Sequence, residues 1–185
     1  MAACDFIGEN NARLKSAVVS VFEYETVEWT DLMPEADLQV LLNPPEYLTA
    51  VEEGSIEDQQ LFEKLASANI DESDDPYLQA LRSTDIRSEF NGRHIRIAGF
   101  LVPLEFDDAQ IVTQAFLVPY FGACIHVPPP PPNQIILLNA ADGVNLNDMY
   151  NPYWISGELT TTLVENELAT SAYAMEVSNF ELYTE

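Results

Sequence analysis

Asn91-Gly92-Arg93-His94-Ile95-Arg96-Ile97-Ala98-Gly99-Phe100-Leu101-Val102-Pro103-Leu104 is the stretch whose reading decides the fold. Asn91-Gly92 is a turn signal, and from His94 onward apolar residues recur at every second position, the period of a half-buried strand. Before Gly92 the recurring spacing is helical. After it, five strand-like segments follow: His94 to Leu104, Ile111 to Tyr120, Gln134 to Asn139, Tyr153 to Thr162 and Ala172 to Tyr183. The first and fourth carry matching patterns, Ile95-x-Ile97-x-Gly99 and Trp154-x-x-Gly157. A glycine inside a strand permits a sharp bend or a close backbone approach, and a small closed barrel needs both. Together with the longer connection between the third and fourth segments, this predicts a mainly β chain built as an OB-like, five-stranded antiparallel Greek-key barrel. A five-stranded sandwich is the competing architecture.

Upstream, the chain reads as an α-rich N-terminal arm. Glu28-Trp29-Thr30-Asp31-Leu32-Met33-Pro34 opens a segment in which Leu38, Leu41 and Leu42 keep helical spacing until Pro44-Pro45 stops it. Ser55 and Asp58 form a capping-box pattern ahead of Leu61, Phe62 and Leu65. Asp75-Pro76 pairs an N-cap with proline at the first helical position, predicting a helix striped by Leu78, Leu81 and Ile86 and ended by Asn91-Gly92. The acidic run Asp71 to Asp75 reads as a solvated linker. The expected organisation is therefore an N-terminal segment over 1–25, a helical and loop arm over 26–90, and a barrel over 91–185 with a proline loop at 128–132.

The chain has 185 residues, 31 acidic and 7 basic, for a formal charge of −24. No Lys or Arg occurs after Arg96. Such a surface repels phosphate backbones, so nucleic acid is excluded as a partner, and a salt-adapted solvated surface is the simplest account of the acid. No apolar run reaches the roughly 18 residues of a membrane span. Ala2-Ala3-Cys4-Asp5 has the small-small-Cys form of a bacterial lipoprotein cleavage site, and Asp5 resembles a signal for retention at the inner membrane. Cys4 is thus a candidate lipidation site and the only route to a membrane. An ordinary N-terminus is the alternative. A lipid on Cys4 would leave Cys124 as a lone thiol needing protection in an oxidising compartment.

The chemically loaded segment is Tyr120-Phe121-Gly122-Ala123-Cys124-Ile125-His126-Val127 followed by Pro128 to Pro132, Asn133 and Gln134. Five prolines fix φ near −65° and remove five donors, which predicts a rigid polyproline II rod. Tyr120, Phe121, Pro128, Pro129 and Pro130 present a surface that a partner could recognise, while Asn133 and Gln134 carry amides suited to fixing the rod onto the barrel. Cys124 and His126 point to one side of an extended segment, so a Zn²⁺ or Cu⁺ ion is the implied metal, although two ligands are fewer than a zinc site uses. The competing structural reading is a buried thiol beside an imidazole that bonds backbone. A Cys124 thiolate activated by His126 is the enzymatic alternative; no Cys-x-x-Cys, Gly-x-Ser-x-Gly, phosphate loop or dinucleotide fingerprint accompanies it.

Asn91-Gly92-Arg93 through GFLVPLEF, then AFLVPYFGACIHVPPPPPNQ, YWISGEL and a closing Tyr-containing strand closely resemble the bacterial family known as domain of unknown function 3299, over roughly residues 26 to 184. WTDLMP resembles the family's N-terminal motif. The resemblance implies an exported protein associated with ABC transporter components, sometimes in settings tied to metal supply, and no established activity. The expected function is a non-enzymatic periplasmic accessory or binding protein, anchored at the inner membrane and working with an ABC transport system. The alternative is a thiol- or metal-dependent enzyme centred on Cys124 and His126.

Overall fold

The computed structural model describes residues 23–50, 55–56, 74–123, 130–144 and 150–184. Its centre is a ring of five strands: β2 (Arg93–Phe106), β3 (Val112–Val118), β4 (Ile136–Val144), β5 (Tyr153–Thr160) and β8 (Tyr173–Leu182). The ring runs β2-β3-β4-β8-β5 and closes because β2 serves two neighbours. Its first half, Arg93 to Gly99, pairs with β5, and its second half, from Phe100, pairs with β3. A short β1 (Glu25–Thr26) lies parallel along Ile95 and Arg96. β6 (Val164–Glu165) and β7 (Thr170–Ser171) form a separate hairpin in the connection to β8.

The barrel is mixed, which corrects the antiparallel expectation. β4 and β8 run parallel from Ile136↔Tyr173 to Asn139↔Glu176, and the other four ring pairs are antiparallel. Parity requires this. Strand directions cannot alternate all the way round a closed ring with an odd number of strands.

The two strand glycines sit where backbones approach closely. A Cβ on Gly99, the handover point on β2, would lie 2.8 Å from both Val118 O and Leu117 Cδ1. On Gly157, beside the register shift in β5, it would lie 2.2 Å from Glu176 O.

Two apolar clusters follow from the alternation. Ile95, Ile97, Leu117, Ile136, Ile155 and Tyr173 point inward and fill the barrel, leaving a void of about 10 Å³. Phe116, Val118, Leu137 and Ala174 point outward from the same strands and are covered by Ala123 and Ile135, which flank the proline segment, and by Val164 and Ala169 near the β6–β7 hairpin. Each fully buried large apolar side chain contributes roughly 1.5–3 kcal/mol. Ala123 and Ile135 are thereby fastened over one outer wall by apolar burial.

The helices among the described residues of the arm are short. Trp29–Leu32 forms a 3₁₀ turn closed by a capping box in which Asp31 Oδ2 accepts from Glu28 N at 2.9 Å. Pro34 then starts α1 (Glu35–Leu41), which stops before Pro44-Pro45, and α2 (Glu46–Thr49) follows. Asp75 caps α3 (Pro76–Ala80) as its spacing predicts, accepting from Tyr77 N at 2.8 Å. The helix ends at Ala80, well short of Asn91-Gly92. Ser83 Oγ accepts from Asp85 N, a local turn that competes with helix continuation. The Ser55–Asp58 capping pattern lies mostly outside the described residues. No helix among the described residues is long and apolar enough to cross a membrane.

Candidate functional site

The described residues of the segment between β3 and β4 form a buried clasp at its C-terminal end and part of an exposed aromatic platform at its N-terminal end. The clasp is built from Pro130 to Gln134. Pro130 and Pro131 are buried, and Pro132–Gln134 turns as a short 3₁₀ helix. Asn133 is fully buried, and Gln134 is 8% exposed. Their amides bond the arm as well as the rod itself: Gln134 Nε2 donates to Trp29 O at 2.8 Å and Asn133 O at 3.1 Å, and Asn133 Nδ2 donates to Asp85 O at 3.1 Å and Asp37 Oδ2 at 3.3 Å. Pro132 O accepts from Ala172 N at 2.8 Å, which ties the rod to the barrel through backbone.

Tyr173 completes the clasp from inside the barrel. Its hydroxyl donates to Leu32 O at 2.7 Å and accepts from Arg87 N at 2.8 Å. Burial pushes the phenol above its ordinary pKa, so it remains a donor at physiological pH. Trp29 Nε1 donates to Ala98 O at 2.7 Å on β2, and Arg87 Nη1 donates to Asp31 O at 3.1 Å. The Trp29–Leu32 motif, the Asn133-Gln134 pair and Tyr173 therefore form one junction. Sequence reading flagged the first two separately, and it missed Arg87 and the particular role of Tyr173. Gln134→Ala will remove one buried and one partly buried hydrogen bond and lower unfolding stability by about 1–3 kcal/mol, read as a denaturant midpoint shift at constant slope.

At the other end of the segment the side chains face outward. Phe121 is 49% exposed and Tyr120 is 43% exposed. Phe121 meets the Phe100 ring edge-on at 6.0 Å and the Tyr150 ring at 5.3 Å, and Tyr150 is 72% exposed. Phe100 comes from β2, Phe121 from the turn after β3, and Tyr150 from the approach to β5. Packing of each ring on the next holds the platform in shape. In the sequence Phe100 reads only as part of the first strand-like segment, and Tyr150 carries no signal. Of the other sequence candidates, Pro130, Asn133 and Gln134 are buried in the clasp. Cys4, Cys124, His126, Pro128 and Pro129 lie outside the described residues. Among the described residues, no three His, Cys, Asp or Glu side chains converge in an arrangement that could hold a metal ion.

The arm carries a perturbed pair at Tyr47 and Asp75. Tyr47 on α2 donates to Asp75 Oδ2 at 2.6 Å. Burial first, and the Asp75 carboxylate second, push the Tyr47 phenol up to about 12, while the Tyr47 bond holds the Asp75 carboxyl below its ordinary value. The raised phenol stabilises the fold below pH ~10 and loses that contribution as pH rises through the folded value. The lowered carboxyl contributes above pH ~4 and loses it as pH falls through its folded value. Both groups are solvent-facing, so the effect on stability is small. NMR titration should place the Tyr47 transition near 12, and Asp75→Asn should return it toward ~10.

This arrangement defines a small mixed β barrel with a clasped arm and an outward aromatic face. The chain belongs to the family described as protein of unknown function (DUF3299), which matches residues 29–182. It is also similar to the crystal structure of a DUF3299 family protein from Pseudomonas aeruginosa PAO1. That likeness has 30% sequence identity and a TM-score of 0.65, and covers 89% of this chain and 99% of that one. No curated protein matches the chain.

Proposed function

We propose that the protein is a non-enzymatic binding module that works with an ABC transport system, exported and held at the inner membrane through Cys4, and that it docks a protein partner through the Phe100, Phe121 and Tyr150 platform. The observation that carries this reading is the exposure of Phe121 and Tyr150, with Phe121 packed on both Tyr150 and the half-buried Phe100, beside a buried, hydrogen-bonded clasp. Aromatic side chains are the commonest anchors of protein interfaces, and a platform whose rings already pack together loses little freedom on binding. Among the described residues the barrel interior is filled, leaving a void of about 10 Å³, which favours recognition on the surface.

The same reading makes the barrel an OB type. β5-β2-β3-β4 has the spatial order of a Greek key, with the fourth strand returning beside the first. OB barrels commonly use the face of their second and third strands, here β3 and β4. On this chain the outward side chains Phe116, Val118 and Leu137 are buried beneath the protein's own segments. The docking surface accordingly moves to the turn beside that wall, where Tyr120 and Phe121 emerge.

Co-purification from native membranes tests the proposal. Tagged wild-type protein should retain a transporter subunit in detergent, and Phe121→Ala combined with Tyr150→Ala should reduce recovery about tenfold or more, the loss of an interface hot spot. Equal recovery with the double variant would count against the platform. Recovery of the native protein without lipid on Cys4, in the cytosol, would count against the location.

A further inference from the structure

We propose that the seam between β4 and β8 receives an extended, basic peptide strand from a partner protein. These two strands pair only from Ile136↔Tyr173 to Asn139↔Glu176. Beyond that point β4 continues to Val144 against β3, and β8 continues to Leu182 against β5. The facing edges of Ala140–Val144 and Val177–Leu182 therefore have no strand partner among the described residues. Ala140, Val144, Val177 and Phe180 on these stretches also line the apolar void of about 10 Å³ inside the barrel.

Natural sheet edges are protected by lysine, proline or a covering element. Neither Ala140–Val144 nor Val177–Leu182 contains Lys or Pro. A peptide added along such an edge gains main-chain hydrogen bonds, and its side chains alternate between the two faces of the added strand. The charge selects the occupant. Asp142 and Glu181 are exposed on the two edges, Glu176 stands where they part, and no Lys or Arg follows Arg96 in the chain. Of these carboxylates, Glu181 meets Arg96 at 3.3 Å in a described ion pair. A second copy would set like charges together on a chain of net charge −24. A basic strand complements them.

This goes beyond the docking reading of the aromatic platform and uses different strands, so either can fail alone. The test uses the full chain and three synthetic octapeptides. One alternates Lys and Val, one alternates Glu and Val, and the third is the Lys-Val peptide with alternate backbone nitrogens methylated. Amide exchange followed by NMR should show saturable protection of Val177–Leu182 or Ala140–Val144 by the Lys-Val peptide, about tenfold or more, and weaker binding at high salt. The Glu-Val and methylated peptides should not protect. Ser178→Pro should abolish binding by obstructing the β8 edge. Should that variant misfold, the exposed pair Asp142→Lys with Glu181→Lys, at unchanged unfolding temperature, should weaken binding about tenfold. Absent protection, equal binding of the Glu-Val peptide, or protection mapped to other strands would overturn the proposal. Concentration-dependent self-association protecting the same amides would overturn it too, by assigning the seam to a second copy.

Discussion

Gly157→Ala will lower the stability of the fold by about 3 kcal/mol, at the upper end of what an inserted methyl costs in a packed core. The expected fall in unfolding temperature is roughly 6–12 °C for a domain of this size. The added Cβ would fall 2.2 Å from Glu176 O and 2.8 Å from Met175 Cγ, and the carbonyl oxygen belongs to a strand that cannot swing aside alone. β8 is held there by β4 on its other edge, through Asn139↔Glu176. Gly99→Ala should cost less, about 1–2 kcal/mol, because two of its three nearest atoms are the movable end of Leu117. Thermal unfolding of both variants by circular dichroism checks the order. Equal, small shifts would contradict the close approach of β5 and β8.

Tyr173→Phe is expected to have the next largest effect, about 2–3 kcal/mol for a change of one oxygen. The ring stays in the core, but Leu32 O loses its donor and Arg87 N loses its acceptor. Burial leaves little water to replace either. Because both partners lie in the arm, the loss should be regional as well as global. Limited proteolysis should cut the arm before residue 90 faster in the variant, while β2 to β8 stay protected. Unfolding curves that superimpose on wild type, with unchanged proteolysis, would show that the hydroxyl does not hold the arm.

What the sequence revealed and what it concealed follow the range of the interactions. Alternation along Ile95, Ile97 and Leu101, and the glycines at 99 and 157, made five strands and a closed barrel legible, since both signals are local. Strand direction was not carried by any residue. It follows from counting five strands in a ring, a geometric constraint that an antiparallel assignment overlooks. The Asp75-Pro76 cap was legible for the same local reason, and the end of its helix was lost to the turn at Ser83.

The clasp was out of reach of any spacing rule. Gln134 and Trp29 are 105 residues apart, and Tyr173 and Leu32 are 141 apart. Asn133 and Gln134 were read as fixing the proline rod to the barrel; their side chains instead bind it to the arm. On the platform, Phe121 drew notice because it lies in the segment leading to the prolines, whereas Phe100 and Tyr150 join it only through the fold.

The most direct test of the docking account is a photo-crosslinking side chain, benzoyl-phenylalanine, placed at Phe121 in the native host. The account predicts a light-dependent adduct with a membrane-bound subunit of an ABC transport system, lost when Tyr150→Ala is added. A folded, correctly located protein that forms no adduct with any transporter subunit, or forms one unaffected by Tyr150→Ala, would contradict it.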